Sequence, residues 1–327
     1  MPPKYRDAVA HLLTSEFFVT DGGVETTLVF EHNADMPCFA AYSLFKTEEG
    51  TTLLREVYAV YAKLATQYST NLLFESATWR ASKDWADKMG YTSKQLEQAI
   101  HQSIEQLEDI RQEHESNDNK MVISGCMGPR GDGYTVGDTM TAEEAEAYHL
   151  QQIKTLEQTN ADLVSALTMT YVEEAIGIAK AARQCNMPCV LSFTVETDGK
   201  LPSGMSVKDA IDQVDAATGK YPMYYMINCA HPTHFQDIFD ELSESKEWIK
   251  RIRGMRANAS CKSHAELDES TELDAGNPFE LGAQTCALHR KLPNLNVLGG
   301  CCGTDHRHIE AICKEIKPNG KTPAPGA

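Results

Sequence analysis

Eight short apolar runs, each followed by a stretch of helical period, predict a single closed (β/α)8 barrel of the α/β class, with extended loops at its C-terminal rim. Two further observations support this. Several of the helical stretches begin with recognisable start signals. Three of the strand-to-helix connections are much longer than the usual two to six residues, and in a barrel all such loops lie on the functional face.

The strands are expected at 17–20, 71–75, 121–125, 162–167, 188–194, 223–228, 251–256 and 296–299, where β-branched and aromatic residues cluster. The helices are expected at 47–69, 93–115, 141–159, 172–184, 206–218, 232–247, 277–291 and 305–316. Thr141 with Glu144 three residues on forms a capping-box pattern, and Asn277 followed by Pro278 suits a helix start. The long loops are 26–46, 126–140 and 257–276. The competing architecture is an open doubly wound sheet, which calls for a Gly-rich fingerprint after the first strand; Asp21-Gly22-Gly23-Val24-Glu25 does not have that spacing. Residues 1–316 therefore read as one barrel domain. Residues 317–327, rich in Pro, Gly and Lys, read as a flexible tail.

The chain has 327 residues, 42% of them hydrophobic and 24% charged, which is ordinary globular usage. Its 30 basic and 47 acidic side chains give a formal charge of −17. A surface so acidic repels phosphate backbones and anionic lipid, so neither nucleic acid nor membrane is an expected partner. No apolar run is long enough to span a bilayer and the start lacks a secretory core, so a cytoplasmic location is expected. Ten cysteines are too few for a disulfide scaffold in a chain of this length. Cys38, Cys185, Cys189, Cys286 and Cys313 read as small hydrophobes.

The chemistry concentrates at Leu298-Gly299-Gly300-Cys301-Cys302-Gly303-Thr304, which follows the last strand and precedes the last helix. Alone, the vicinal thiols fit a redox switch and the glycines a phosphate cradle. A third cysteine changes the balance: Cys229 in Asn228-Cys229-Ala230-His231 also follows a strand, the sixth, so a closed barrel brings three sulfurs to one rim. Three thiolates favour zinc and leave the fourth tetrahedral position open, the pattern of a catalytic site. An alkyl thiol, with a pKa of roughly 8.5, loses its proton on such a metal and becomes a nucleophile. Methyl transfer from a sulfonium or ammonium centre is chemistry that suits it.

With these residues in view, the chain resembles the homocysteine S-methyltransferase family over nearly its whole length. The resemblance rests on Asp21-Gly22-Gly23, Glu75-Ser76-Ala77-Thr78, Gly128-Pro129-Arg130-Gly131, Asn228-Cys229 and Gly299-Gly300-Cys301-Cys302-Gly303, the last two being specific. It implies a (β/α)8 barrel, Zn2+ on Cys229, Cys301 and Cys302, and a homocysteine sulfur on the metal. Asp21 and the backbone at Gly22 would lie near the amino-acid part of the substrate, with Ser76 and Thr78 lining the pocket and Asn228 among the substrate-binding residues. Many members carry a glutamate at the end of the fourth strand to hold the substrate ammonium; here Leu167 stands in the matching stretch. Glu75 or Glu196 would supply the carboxylate, and Glu75 is favoured because its segment reaches the rim.

The expected activity is zinc-dependent methyl transfer from a sulfonium donor, S-methylmethionine or S-adenosylmethionine, to homocysteine, giving methionine. The alternatives are another thiol or selenol acceptor, a betaine-like donor, or a zinc-binding or redox-sensing protein without turnover. The partners are thus a small-molecule thiol acceptor and a methyl donor, and a homo-oligomer is left open. His231, His234, His264, His306 and His308 read first as polar surface groups. Trp79 and Trp85 read as core or loop packing, with stacking on a donor cation as the sharper alternative.

Overall fold

The computed structural model describes residues 2–239, 247–292 and 294–317. Eight parallel strands close into a barrel in sequence order: β1 Phe18–Thr20, β2 Asn71–Glu75, β3 Met121–Met127, β4 Leu163–Met169, β5 Cys189–Phe193, β6 Tyr224–Ala230, β7 Ile252–Ala257 and β8 Val297–Gly300. Closure is made where Phe18 pairs with Val297 and Val19 with Leu298. Each strand falls on its expected run, and β3, β4 and β6 extend two residues further toward the rim.

Most crossover helices stand where their start signals place them. Thr141 and Glu144 form a reciprocal capping box ahead of Ala142–Glu157, and Asn277 caps Pro278–Lys291 through its side chain. The long helices Glu48–Tyr68 and Ser93–His114 begin at Thr47 and Thr92, whose hydroxyls accept from the main chain three residues on. The stretch expected as one helix over 232–247 starts as the short helix Pro232–Phe235, tightens into a 3-10 turn Gln236–Phe239, and has a further turn Glu247–Lys250. Residues 240–246 and all of the expected tail 317–327 beyond Lys317 lie outside the described residues.

No element is expected before residue 17, yet Val9–Ser15 is helical. Its Val9, Leu12 and Leu13 share one face and are buried against Phe18, Leu73, Val122, Leu163 and Val297. That group is the lower interior of the barrel, so the helix plugs the end opposite the rim. The 2.0 period of the strands explains what lies above it. Higher inward positions on seven of the eight strands are polar, Thr20, Glu75, Ser124, Ser165, Ser192, Asn228 and Arg256, all buried, with Gly299 on β8. The barrel has an apolar base and a polar upper layer, and the chemistry stands on the second. Of the two tyrosines opening β6, Tyr224 joins the interior group, while Tyr225 faces the helices and donates to Asp215 at 2.8 Å.

Among the described residues no helix is long and apolar enough to cross a membrane.

Candidate metal centre and active site

The strand ends deliver the three sulfurs. On a regular β6, Asn228 points inward and Cys229 would point out. A register shift against β7 between Asn228 and Ala230, with Cys229 at a left-handed φ of 57°, turns its thiol into the mouth instead. That backbone costs about 1 kcal/mol for a non-glycine residue. Two hydrogen bonds to the Cys229 carbonyl hold it, from Asn258 Nδ2 at 3.1 Å and with His264 Nε2 at 2.8 Å. A twin irregularity in β4 puts Thr168 at φ 67°. Asn228 ties the two together: its Oδ1 accepts from Thr168 N at 2.8 Å and its Nδ2 donates to Thr168 Oγ1 at 2.9 Å.

Cys301 and Cys302 leave β8 in a turn anchored to the seventh strand's loop. Cys301 N donates to Ala257 O at 2.7 Å, and Ala259 N donates to Cys302 O at 3.1 Å. The glycines before them are required by space: a Cβ on Gly299 would lie 1.8 Å from Thr20 Oγ1. Left-handed backbone enters only after the cysteines, at Gly303 with φ 77°.

The Cys229 sulfur stands 3.1 Å from that of Cys301 and 3.6 Å from that of Cys302. All three lie within 4.8 Å of one another, and they are the group of metal-ligating side chains found among the described residues. Tetrahedral zinc–sulfur bonds of about 2.3 Å need sulfurs roughly 3.8 Å apart, so the donor set fits with a slight opening. Hydrogen bonds from Cys229 and Cys302, helped by Arg256, hold the Cys301 thiol well below its ordinary value, and the same bonding pushes Cys229 up.

Beneath the sulfurs lies an ion network. Arg256 pairs with Asp21 Oδ1 and donates through Nε to Gly300 O at 3.1 Å, while Asp21 Oδ2 accepts from Glu75 N at 2.9 Å. Glu75 takes a hydrogen bond from Ser165, and its other oxygen sits 4.0 Å from Arg256 Nη1. Burial raises Asp21 and pushes Glu75 up to about 7. Burial alone would lower Arg256, but Asp21 and Glu75 together hold it above its usual value.

A cavity of about 350 Å³ opens on this floor. Of the expected residues, Asp21, Gly22, Glu75, Ser76, Asn228, Cys229, Cys301 and Cys302 line it, and so does Leu167. Thr78 stands behind that wall, fully buried, with its hydroxyl 2.6 Å from Ser76 Oγ and donating to Cys126 O at 2.7 Å. Glu196 is outside the lining and meets His264 Nδ1 at 2.9 Å. All three long loops contribute walls, through Phe30 and Phe39, through Asp132, Gly133 and Tyr134, and through Ser260, Leu267 and Asp274.

Several site groups escaped the sequence. Tyr134 places its hydroxyl 3.2 Å from the Cys229 sulfur and 3.4 Å from that of Cys302, with its ring stacked on His264 at 4.2 Å. His264 is therefore a buried support, as are His231 and His308, and none of these three is a surface group. Trp79 and Trp85 each stack at 4.0 Å on the Arg80 guanidinium, so the cation between them is the protein's own. Arg256 carried one signal, a charge at the last inward position of a barrel strand.

The family model for homocysteine S-methyltransferases matches residues 18–316. The chain is 22% identical to a selenocysteine Se-methyltransferase of Brassica oleracea var. italica, covering 93% of this chain and 90% of that protein. It is also 22% identical to homocysteine S-methyltransferase 1 of Arabidopsis thaliana, over 91% of this chain and 93% of that one. Among solved structures, the oxidized form of the homocysteine methyltransferase MmuM from Escherichia coli superposes with a TM-score of 0.70 at 19% identity, covering 94% of this chain and 98% of that chain. Its metallated form gives 0.67 at 18%, and both likenesses speak for the fold. With a match that runs from the first barrel strand to the last helix, the chain belongs to the homocysteine S-methyltransferase family.

Proposed function

We propose that this protein is a zinc-dependent methyltransferase that moves a methyl group from a sulfonium donor to a thiol, homocysteine being the acceptor of choice and methionine the product. The observation that carries the reading is the convergence of the Cys229, Cys301 and Cys302 sulfurs on the floor of one cavity. Zinc, when bound there, would take the acceptor sulfur at its fourth position and hold it as a thiolate.

The chain's own groups do the rest. Asn228 and the β6 irregularity fix the Cys229 thiol, and the Asp21–Arg256–Glu75 network keeps the floor rigid and Arg256 charged beside Cys301. Tyr134 covers the sulfurs from the β3 loop and narrows water's access. Asp132, Glu272 and Asp274 on the loops give the mouth a negative field that draws in a cationic donor. In the transfer, a sulfur–carbon bond forms to the acceptor as the bond to the sulfonium sulfur breaks. The bonding pair stays with the donor sulfur, which leaves as a neutral thioether and no longer feels that field.

The likeness to a selenocysteine methyltransferase supports a selenol as a second acceptor. The test is a single-turnover assay with mass-spectrometric readout over a panel of donors and acceptors. Cys301→Ser is expected to lose both bound metal and methylated product; retention of full zinc content and full activity would overturn the proposal.

A further inference from the structure

The Tyr134 hydroxyl stands between two of the three sulfurs, 3.2 Å from that of Cys229 and 3.4 Å from that of Cys302. Covering the sulfurs needs only the ring, so the hydroxyl calls for a further reason. Its place is firmly built. Glu174, from the helix Val172–Gln184, meets His149 at 2.9 Å and accepts from Arg130 N at 2.7 Å. Arg80, from the loop after β2, donates to Gly131 O at 2.7 Å, and Asp132 accepts from Tyr134 N at 2.7 Å. The ring lies nearly flat on His264, from the loop after β7, at 4.2 Å. Groups from three elements thus hold the β3 loop so that one hydroxyl meets two sulfurs.

Methyl transfer supplies the reason. In a tetrahedral zinc site the four sulfurs lie roughly 3.8 Å apart, so a sulfonium methyl brought to the acceptor is brought close to the cysteines as well. All four are nucleophiles of one kind. If the methyl goes astray, a carbon–sulfur bond forms to a cysteine while the donor's carbon–sulfur bond breaks and its electron pair leaves with the thioether. The cysteine ends as a neutral S-methyl thioether, without the charge that makes it a ligand, and the site is spent.

A hydrogen bond donated to a thiolate draws down its electron density, and nucleophilicity falls with basicity. A phenol, with an ordinary value of about 10, keeps its proton at neutral pH and can only donate to a thiolate. Each sulfur has a partner of this kind. Cys229 and Cys302 share the Tyr134 hydroxyl, while Cys301 has Asn228 Nδ2 at 3.8 Å and the charge of Arg256 beside it.

We infer that the Tyr134 hydroxyl is a selectivity device, blunting the Cys229 and Cys302 thiolates so that the sulfonium methyl goes to the acceptor and not to the protein. This rests on the methyl-transfer reading and adds the residue that keeps the site from methylating itself.

The test incubates zinc-loaded wild type, Tyr134→Phe and Tyr134→Leu with S-methylmethionine and no thiol acceptor, at equal measured zinc content. S-methylcysteine is followed by intact mass and located by peptide mapping. Tyr134→Phe, which keeps the ring on His264, is expected to be methylated about three- to tenfold faster than the wild type. The adduct should fall chiefly on Cys302, the more open of the two sulfurs, and spare Cys301. Tyr134→Leu, which loses ring and hydroxyl together, should react at least as fast as Tyr134→Phe. Equal rates in wild type and Tyr134→Phe overturn the inference whatever Tyr134→Leu does, because the ring alone is then the shield; labelling of Cys301 ahead of Cys302 overturns it too. If homocysteine is methylated by the wild type while Tyr134→Phe gains no adduct, the methyl-transfer reading stands and the inference falls. If no acceptor is methylated under any donor but Tyr134→Phe acquires the adduct, that reading fails and the shielding role stands.

Discussion

At the scale of the residue, the site depends on groups whose partners lie far away in the chain. Asp21 and Arg256 form a buried pair across 235 positions, and removing the guanidinium leaves Asp21 and Glu75 facing each other without a cation. Arg256→Met is expected to cost about 3–5 kcal/mol, read from urea denaturation. Glu75 adds a pH dependence. Its folded value, pushed by burial to about 7, exceeds the ordinary 4.5. Its contribution to stability is therefore complete below the ordinary value and lost as pH rises through about 7. Unfolding midpoints of wild type and Glu75→Gln should show the wild type's relative stability declining from pH 5 to pH 8; a constant gap would contradict the assignment. Tyr134→Phe removes the hydroxyl over two sulfurs while keeping the ring on His264. It should weaken zinc binding by about tenfold in chelator competition and leave the fold intact.

At the scale of the element, legibility followed the length of the signal. Strands and long helices rest on patterns contained in their own residues, and the capping box at Thr141 stands where its two residues put it. The helix Val9–Ser15 has seven residues and no side-chain cap, so what holds it is the barrel floor and not its own sequence. Leu13→Ala on that helix, at a fully buried position, should cost about 2–5 kcal/mol in a thermal melt with zinc content unchanged. The irregularities at Thr168 and Cys229 were equally hidden. Each is a single left-handed residue that is not glycine, held by partners remote in the chain: Asn228 bonds Thr168, while Asn258 and His264 bond the Cys229 carbonyl. The three cysteines could be read from sequence because a barrel topology alone brings strand ends together. Tyr134 and Arg256 could not, since their roles come from loop packing and from which way a strand faces.

At the scale of the whole molecule, the proposed metal site would link metal to fold. Ligands that meet only in the closed barrel bind metal with free energy that adds to folding stability. Stripping zinc with a chelator should lower Tm, and re-adding it should restore the original value; a Tm indifferent to both would separate the cysteines from any metal. The same closure has a consequence during synthesis. β1 finds its second neighbour only in β8, and the cysteine turn beyond β8 is stitched back to the Gly23 and Thr26 segment just after β1. A nascent chain that has emerged as far as β6 displays Cys229 without its two companions. The three sulfurs meet only when the last strand leaves the ribosome and reaches back to the first, so an incomplete chain offers one of the three site thiols and not the trap proposed for zinc.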